Sequence, residues 1–274
     1  MAAPTATLYV PLGDSCAAAF LLRHVGLRAA ALPLDWVLSP TDALLACVED
    51  DFARQLCEPR VTDTRTRGPR SAIEDAYGFR YLHDFPKSAP LPTNTPAAAT
   101  GGGWVRDAPA DGDGAWQEGA AVDDAWEAAL PEVRAKYARR VARLRDALGA
   151  PHARAVLVRW GGDMRQEQAR ALLATLRARY PTLHARFVAL HVRGVESEAG
   201  SIVAVPNDGA PLAFDATQRV LARAAVGVEQ EARAAAGAEQ EARAAAGVEH
   251  EAHEAAGAEH EARAAGTATV APCH

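Results

Sequence analysis

The chain has 274 residues, 49% hydrophobic and 23% charged, a globular composition with enough apolar side chains for one sizeable core. Its formal net charge is −6, and the four decapeptide units over residues 227–266 carry charges of −1, −1, −3 and −1, which account for all of it. The body before them is therefore close to neutral. Because no run of Lys and Arg interleaved with aromatic residues appears either, the composition excludes a typical nucleic-acid-binding module.

The sequence also predicts neither secretion nor membrane insertion. Its amino-terminal segment lacks a basic region followed by an apolar stretch, and no run approaches the ~18 apolar residues that a membrane helix needs. The four cysteines, Cys16, Cys47, Cys57 and Cys273, are too irregularly spaced for a disulfide framework or a paired zinc motif. We therefore expect a cytoplasmic protein with reduced thiols and without a metal or another cofactor.

The first predicted elements are a strand, a tight turn and a helix. A short apolar run over residues 7–12 ends at a glycine, and helical spacing then covers residues 15–25. Asp14 or Ser15 is the predicted N-cap, which puts Cys16 at the start of the helix.

The next part of the chain is less regular. An extended piece ending at Ser39 is followed by a predicted helix over residues 40–56. Residues 77–85 alternate like one short strand or its edge. Residues 86–119 are rich in Pro, Gly, Ala, Thr and Asp, a composition typical of a long, partly disordered loop.

The second half of the body predicts an α/β sheet. A long amphipathic helix over residues 123–148 precedes an apolar strand over 153–160, a helix over 166–180 and a strand over 185–192. A strand, a helix and a strand with short connections form a parallel pair with a right-handed crossover. We therefore predict one α/β domain over residues 1–226, with a three-layer arrangement and a mostly parallel sheet that includes the first strand.

Residues 227–266 form a tail of decapeptide repeats. A ten-residue period advances an α-helix by about 1000°, about 80° short of three turns, so no apolar stripe stays on one face from unit to unit. The repeats are therefore predicted to be a solvated helical or disordered spacer, and residues 267–274 a disordered terminus. Contact of the repeats with an unknown protein remains the alternative.

Cys16 is the first candidate for chemistry. A thiol at a helix N-terminus lies among oriented backbone N–H groups, which stabilise its thiolate and can also hold an oxyanion. The competing interpretation is a small buried residue at the start of an Ala-rich helix.

His83 and two carboxylates could complete such a site. His83 can act as the general base for a thiol, and a carboxylate would fix its tautomer. Asp35, inside an apolar run, is either that orienting acid or a structural hydrogen-bond anchor. Asp84 is the other candidate for the orienting acid, although adjacent residues of a strand point to opposite faces.

Three short motifs carry a resemblance to a known family. The sequence PLGDSC contains Cys16, LPLDWV contains Asp35, and YLHDF contains His83. In this order, followed by a helix and a strand with VLVRW, they resemble the family of bacteria and viruses described as putative papain-like cysteine peptidases. The resemblance spans roughly residues 8–192, with Leu34 in place of the usual Phe. It implies a nucleophile at Cys16 and a base at His83, acting on a peptide or acyl substrate.

Two other functions stay open from the sequence. The segment LYVPLGDS resembles the start of SGNH-type serine hydrolases, in which Ser15 would be the nucleophile, but the Asp-x-x-His that such enzymes carry near the C-terminus is missing. A non-enzymatic interaction module, with the repeats as a spacer, is the third possibility.

Overall fold

The fold, obtained as a computed structural model, is described for residues 6–64, 70–87, 122–205 and 214–266. Most of the predicted 86–119 loop and the whole predicted terminus over residues 267–274 lie outside these ranges.

The described chain contains eight strands and five α-helices. The strands are β1 (Leu8–Pro11), β2 (Val37–Leu38), β3 (Arg60–Thr64), β4 (Arg70–Glu74), β5 (Arg80–Tyr81), β6 (Arg154–Trp160), β7 (His184–Leu190) and β8 (Ile202–Val205). The helices are α1 (Ala17–His24), α2 (Thr41–Glu49), α3 (Leu130–Gly149), α4 (Gln166–Arg179) and α5 (Phe214–Gly266), and the 3-10 helix Trp126–Ala129 precedes α3.

A four-stranded parallel sheet organises the fold. Its strand order is β1-β6-β7-β8, and every neighbouring pair is parallel. The prediction of an α/β fold whose mostly parallel sheet includes the first strand is therefore confirmed. Strand β8, which has four residues, was not predicted.

Alternating side chains of this sheet build two apolar layers. On β6, Val156 and Val158 pack with residues of α1 and α5 on one face, and Ala155 and Leu157 pack with residues of α2, α3 and α4 on the other. This alternation follows from the period of two along a strand. The result is the predicted arrangement of helices on both faces of a sheet.

A second, antiparallel sheet was missed by the sequence analysis. Its strand order is β2-β5-β4-β3. The strand expected within residues 77–85 is reduced to two residues, Arg80–Tyr81, so His83 and Asp84 lie beyond its end. Strands of two residues leave no alternating pattern long enough to recognise.

Helix α2 is shorter than the predicted helix over residues 40–56. It ends at Glu49, and Asp51 and Phe52 follow with positive φ angles of 57° and 64°. Two successive left-handed residues cannot continue an α-helix. The apolar spacing that extended the prediction belongs to a buried turn, in which Leu56 is 1% exposed.

The repeats belong to α5, a single helix of 53 residues. The chain divides into the units Met1–Glu229 and Gln230–His274. Within the first unit, α5 buries Leu221, Ala224 and Val228 with the side chains on the α1 face of the parallel sheet. Neither α5 nor any other helix of the described ranges is apolar enough over a sufficient length to cross a bilayer.

Candidate active site

The turn that carries Cys16 lies at the carboxyl end of β1. Gly13 and Asp14 both adopt left-handed backbone angles, with φ of 70° and 71°. Cys16 follows as the N-cap of α1, half-buried and reduced, and its carbonyl oxygen accepts the Phe20 N–H at 3.0 Å. The thiol therefore stands where β1 ends and α1 begins, as predicted.

Ser15 stabilises the first turn of α1. Its Oγ accepts the backbone N–H of Ala17 at 3.2 Å. Cys16, the residue directly before α1, has helical backbone angles and makes no capping bond with its side chain, so the capping hydrogen bond comes from Ser15, one of the two predicted N-caps. The alternative nucleophile of the sequence analysis is thus a hydroxyl that already accepts a helix-capping hydrogen bond.

Ser39 fastens this turn from the β2–α2 connection. Its Oγ accepts the Asp14 N–H at 2.9 Å and donates to the Leu12 carbonyl at 2.9 Å. A Cβ at Gly13 would lie 2.0 Å from the same Oγ, so only glycine fits there. Since the Asp14 amide already has a partner, it is removed from the predicted oxyanion donors of the turn.

The side chain of Arg159, on β6, contacts the same turn. Its side chain is fully buried. Nη1 donates to the Leu12 carbonyl at 3.0 Å, and Nη2 donates to the Ser39 carbonyl at 3.0 Å and to Thr41 Oγ1 at 3.1 Å. One guanidinium therefore ties β6 to both the β1–α1 turn and the β2–α2 connection. Arg159 was not predicted as a site residue, although an arginine near the end of an otherwise apolar run was the available signal.

The carboxylate nearest to this guanidinium is Asp14. Its Oδ1 lies 3.5 Å from Arg159 Nη2, farther than the three neutral oxygens. Burial raises the pKa of Asp14, and the charge of Arg159 opposes that rise. Burial in turn lowers the pKa of Arg159. The buried cation is therefore only loosely neutralised.

Asp35 lies in the turn before β2 and is fully buried. Its Oδ2 accepts Nε and Nη2 of Arg28 at 2.8 and 2.5 Å and the Leu32 N–H at 3.0 Å. Burial raises the pKa of the Asp35 carboxyl, while Arg28 counteracts the rise. Its Oδ1 is buried without a hydrogen-bond partner among the described residues. Asp35 thus has an anchoring ion pair on one oxygen and an unused acceptor on the other.

Trp36 connects the Asp35 turn to the helix of the thiol. Its ring meets Phe20 of α1 edge to face, with centroids 5.0 Å apart. The guanidinium of Arg28 lies 5.3 Å from the same ring centroid. Phe20 is one helical turn after Cys16, so the second sequence motif packs directly on the helix that begins with the first.

The pairing of β2 with β5 brings the second and third motifs together. Val37 is opposite Tyr81 in this antiparallel ladder. The pairing ends there: Asp35 lies in the turn two residues before Val37, and His83 lies in the bend two residues after Tyr81. The two side chains thus belong to the same end of two neighbouring strands.

Asp84 is turned toward α3. Its Oδ2 accepts the Tyr137 hydroxyl at 2.9 Å, and its Oδ1 accepts Lys136 Nζ at 2.7 Å. The expectation that Asp84 and His83 face opposite sides of a strand does not apply, because β5 ends at Tyr81. Both oxygens of Asp84 instead anchor the third motif on α3.

The polar side of α3 is a second feature that the sequence analysis missed. Lys136 and Arg140 are 9% and 3% exposed, one turn apart and beside the buried Tyr137. Arg140 lies 5.1 Å from the Tyr137 ring centroid, and its charge lowers the pKa of Asp35. The available signal was the i, i+4 spacing of two cations around a residue assigned to the core.

The described ranges contain no candidate metal site, and they include two thiols besides Cys16. No three His, Cys, Asp or Glu side chains of these ranges are placed to hold a metal ion. Cys47 is buried, and burial raises the pKa of its thiol. Cys57 is half-buried and reduced. Cys273 lies outside the described residues.

Comparison with known proteins identifies a family. The model of a family described as "putative papain-like cysteine peptidase" matches residues 7–193, which include all three motifs and Arg159. No curated protein and no solved structure matches the chain.

Proposed function

The chain belongs to this family of putative papain-like cysteine peptidases, and we propose that it is a thiol hydrolase or acyltransferase with Cys16 as nucleophile and His83 as base. The observation that carries the proposal is the position of the Asp35–Trp36 turn. Trp36 packs on Phe20 of the helix that Cys16 begins, and Asp35 precedes β2 at the same end of the β2–β5 ladder at which His83 follows β5. This turn therefore links the segments that carry the two proposed reactants.

The proposed reaction proceeds through a thioester. His83 takes the thiol proton as the Cys16 sulfur bonds to the acyl carbon, and the carbonyl electron pair moves to oxygen. Collapse of this intermediate breaks the bond to the leaving group, which takes the proton from the imidazolium. Water, or another acceptor, then attacks the thioester with His83 again as base and restores the thiol. The remaining amides of the turn at the start of α1 would hold the oxyanion.

We assign the orienting role to Asp35 and a structural role to Asp84. Arg28 holds only one oxygen of Asp35 and leaves Oδ1 as an acceptor for an imidazole N–H. Both oxygens of Asp84 already accept bonds from α3. A buried carboxylate that is fixed by an arginine provides the rigid acceptor that an orienting acid needs.

The proposed substrate is a peptide or another acyl compound. The mechanism needs no cofactor, since the thiol, the imidazole and backbone amides supply the nucleophile, the proton transfer and the charge stabilisation. A nucleophilic thiol needs reducing conditions, so we propose that the protein acts in the cytoplasm.

The test is the pH dependence of Cys16 alkylation by iodoacetamide, in a background with Cys57→Ser and Cys273→Ser. We expect a thiol pKa at least one unit below the ~8.5 of a free cysteine, and a rate at pH 7 about tenfold lower in His83→Ala. Buried Cys47 serves as the internal unreactive control. A Cys16 thiol with an ordinary pKa, unaffected by His83→Ala, would contradict the proposal.

Two amide variants separate the carboxylates. Asp35→Asn should slow alkylation and turnover of an acyl substrate, because the amide cannot hold the same imidazole tautomer. Asp84→Asn should lower stability through the lost Lys136 ion pair but leave the alkylation profile unchanged. The reverse pattern would assign the orienting role to Asp84.

A further inference from the structure

Arg159 holds the segment that carries the nucleophile. The residue has no titratable function of its own, yet its guanidinium binds one oxygen from each of two connections, Leu12 before Cys16 and Ser39 before α2. A buried guanidinium is costly to desolvate, and packed apolar residues stabilise a strand as well. Its placement therefore calls for a reason beyond stability.

The contacts of Arg159 compensate its charge only in part. The three closest acceptors, at 3.0 to 3.1 Å, are two carbonyl oxygens and a hydroxyl, all of them neutral. The carboxylate of Asp14 is at 3.5 Å, and its side chain is 30% exposed to solvent. A positive potential therefore remains at the turn, where a thiolate and later an oxyanion would form.

We propose that Arg159 is a positioning residue for Cys16, which fixes the β1–α1 turn through Leu12 and supplies positive charge that Asp14 partly offsets. This inference rests on the proposed function of Cys16. Arg159 acts through the turn and does not take part in proton transfer. Asp14 works in the opposite sense, since its carboxylate weakens the potential that Arg159 creates.

Three variants distinguish this role from a purely structural one. In Arg159→Met, the alkylation rate of Cys16 at pH 7 should fall about tenfold, because loss of the charge raises the thiol pKa by about one unit. Arg159→Lys should react faster than Arg159→Met but more slowly than the wild type. Lysine keeps the positive charge but lacks the two guanidinium nitrogens that bind Leu12 and Ser39 together. Asp14→Asn should instead raise the rate, about threefold, because asparagine tolerates the left-handed backbone and removes only the charge.

The control is Arg193→Met. Arg193 belongs to a connection at the same edge of the sheet, but its ion pair with Asp163 is exposed, with both side chains more than 70% accessible. This variant should keep the wild-type alkylation profile. A wild-type profile in Arg159→Met, or an equal loss of rate in Asp14→Asn and Arg159→Met, would overturn the inference.

Amide hydrogen exchange separates this inference from the proposal about Cys16. The Asp14 N–H, bonded to Ser39, should exchange at least tenfold faster in Arg159→Met than in the wild type, since Arg159 holds both flanking connections. Unchanged exchange overturns the positioning role. An inert wild-type Cys16 together with faster Asp14 exchange overturns the proposed catalytic function and leaves Arg159 as an anchor of the turn alone.

Discussion

Gly13 and Gly26 share a φ of +70° but differ in their surroundings. A Cβ at Gly13 would meet Ser39 Oγ at 2.0 Å and the Val37 carbonyl at 3.2 Å, whereas a Cβ at Gly26 would have no neighbour within 4 Å among the described residues. A comparison of alanine substitutions at these two positions therefore distinguishes the cost of backbone strain, which both share, from the cost of steric overlap, which only Gly13 has.

Alanine should be tolerated at Gly26 and not at Gly13. Both substitutions incur about 1–2 kcal/mol for a left-handed non-glycine residue, and Gly13→Ala adds about 1–3 kcal/mol of overpacking against Ser39. Urea unfolding should show the larger loss of stability in Gly13→Ala. Equal losses of stability would mean that Ser39 can move away from the new Cβ at no energetic cost. The hydrogen bonds of Ser39 would then not fix the turn before Cys16.

At the scale of elements, Glu74 joins three strands of the antiparallel sheet. On β4, it is directly opposite Arg60 of β3 and Arg80 of β5, and its carboxylate accepts from them at 2.6 and 2.9 Å. Hydrogen bonds from Arg60 and Arg80 hold the pKa of Glu74 below its ordinary 4.5. The two ion pairs of Glu74 thus link β4 to β3 and to β5.

The stability that Glu74 contributes should depend on pH. Because the folded pKa is depressed, the contribution is complete above the unfolded pKa of about 4.5 and is lost as the pH falls through the folded pKa. Glu74→Gln should therefore lower Tm at pH 7, and the difference from the wild type should disappear in acid. The control is Glu167→Gln, which breaks an ion pair with Arg165 that is about 70% exposed and should change Tm little at any pH. A pH-independent effect of Glu74→Gln would contradict the ion-pair interpretation.

Most of the elements that the sequence predicted are long enough to show a period, and β1 was recognised from its apolar run before a glycine. The apolar run of β6 and the spacing of α3 and α4 were sufficient, since each covers at least seven residues. The antiparallel sheet was missed, because β2 and β5 have two residues each and are defined only by their pairing. Helix α2 was overextended, because apolar spacing carries no sign of a left-handed backbone at residue 51.

The sequence suggested the proposed reactive groups of the candidate site but not the residues that support them. Cys16, His83 and Asp35 could be named from their motifs. The partners Arg28, Ser39 and Arg159 could not, because a buried polar residue is matched with its acceptor only by the folded chain. For the same reason the sequence left Asp35 and Asp84 as equal alternatives, and the choice of Asp35 stays a prediction.

At the scale of the whole molecule, α5 has two different roles along its length. Leu221, Ala224 and Val228 cover the sheet face formed by Val156, Val158, Val188 and Leu190. Residues 237–243, farther along the helix, are exposed. The first part therefore belongs to the core, and residues 237–243 do not.

Two truncations should separate these roles. A chain that ends at residue 237 should keep the wild-type Tm within about 2 °C, because it retains every described side chain of α5 that packs on the sheet. A chain that ends at residue 213 should lose cooperative unfolding and aggregate, since an apolar sheet face becomes exposed. Circular dichroism melting and size-exclusion chromatography measure both outcomes. A large fall in Tm for the longer chain would show that the later repeats stabilise the body.

The first glycine of the repeats, Gly227, packs closely against an arginine of the body, and the second, Gly237, does not. A Cβ at Gly227 would lie 1.8 Å from Arg186 Nη1, whereas a Cβ at Gly237 would have no described neighbour within 4 Å. A gene that encodes such an array can gain or lose whole units, and a unit beyond the first lengthens or shortens the helix by about 15 Å and rotates everything after it by about 80°. A change in the number of later units would therefore change the length of the helix alone. The first unit cannot vary in the same way, because Gly227 packs against Arg186 of the body.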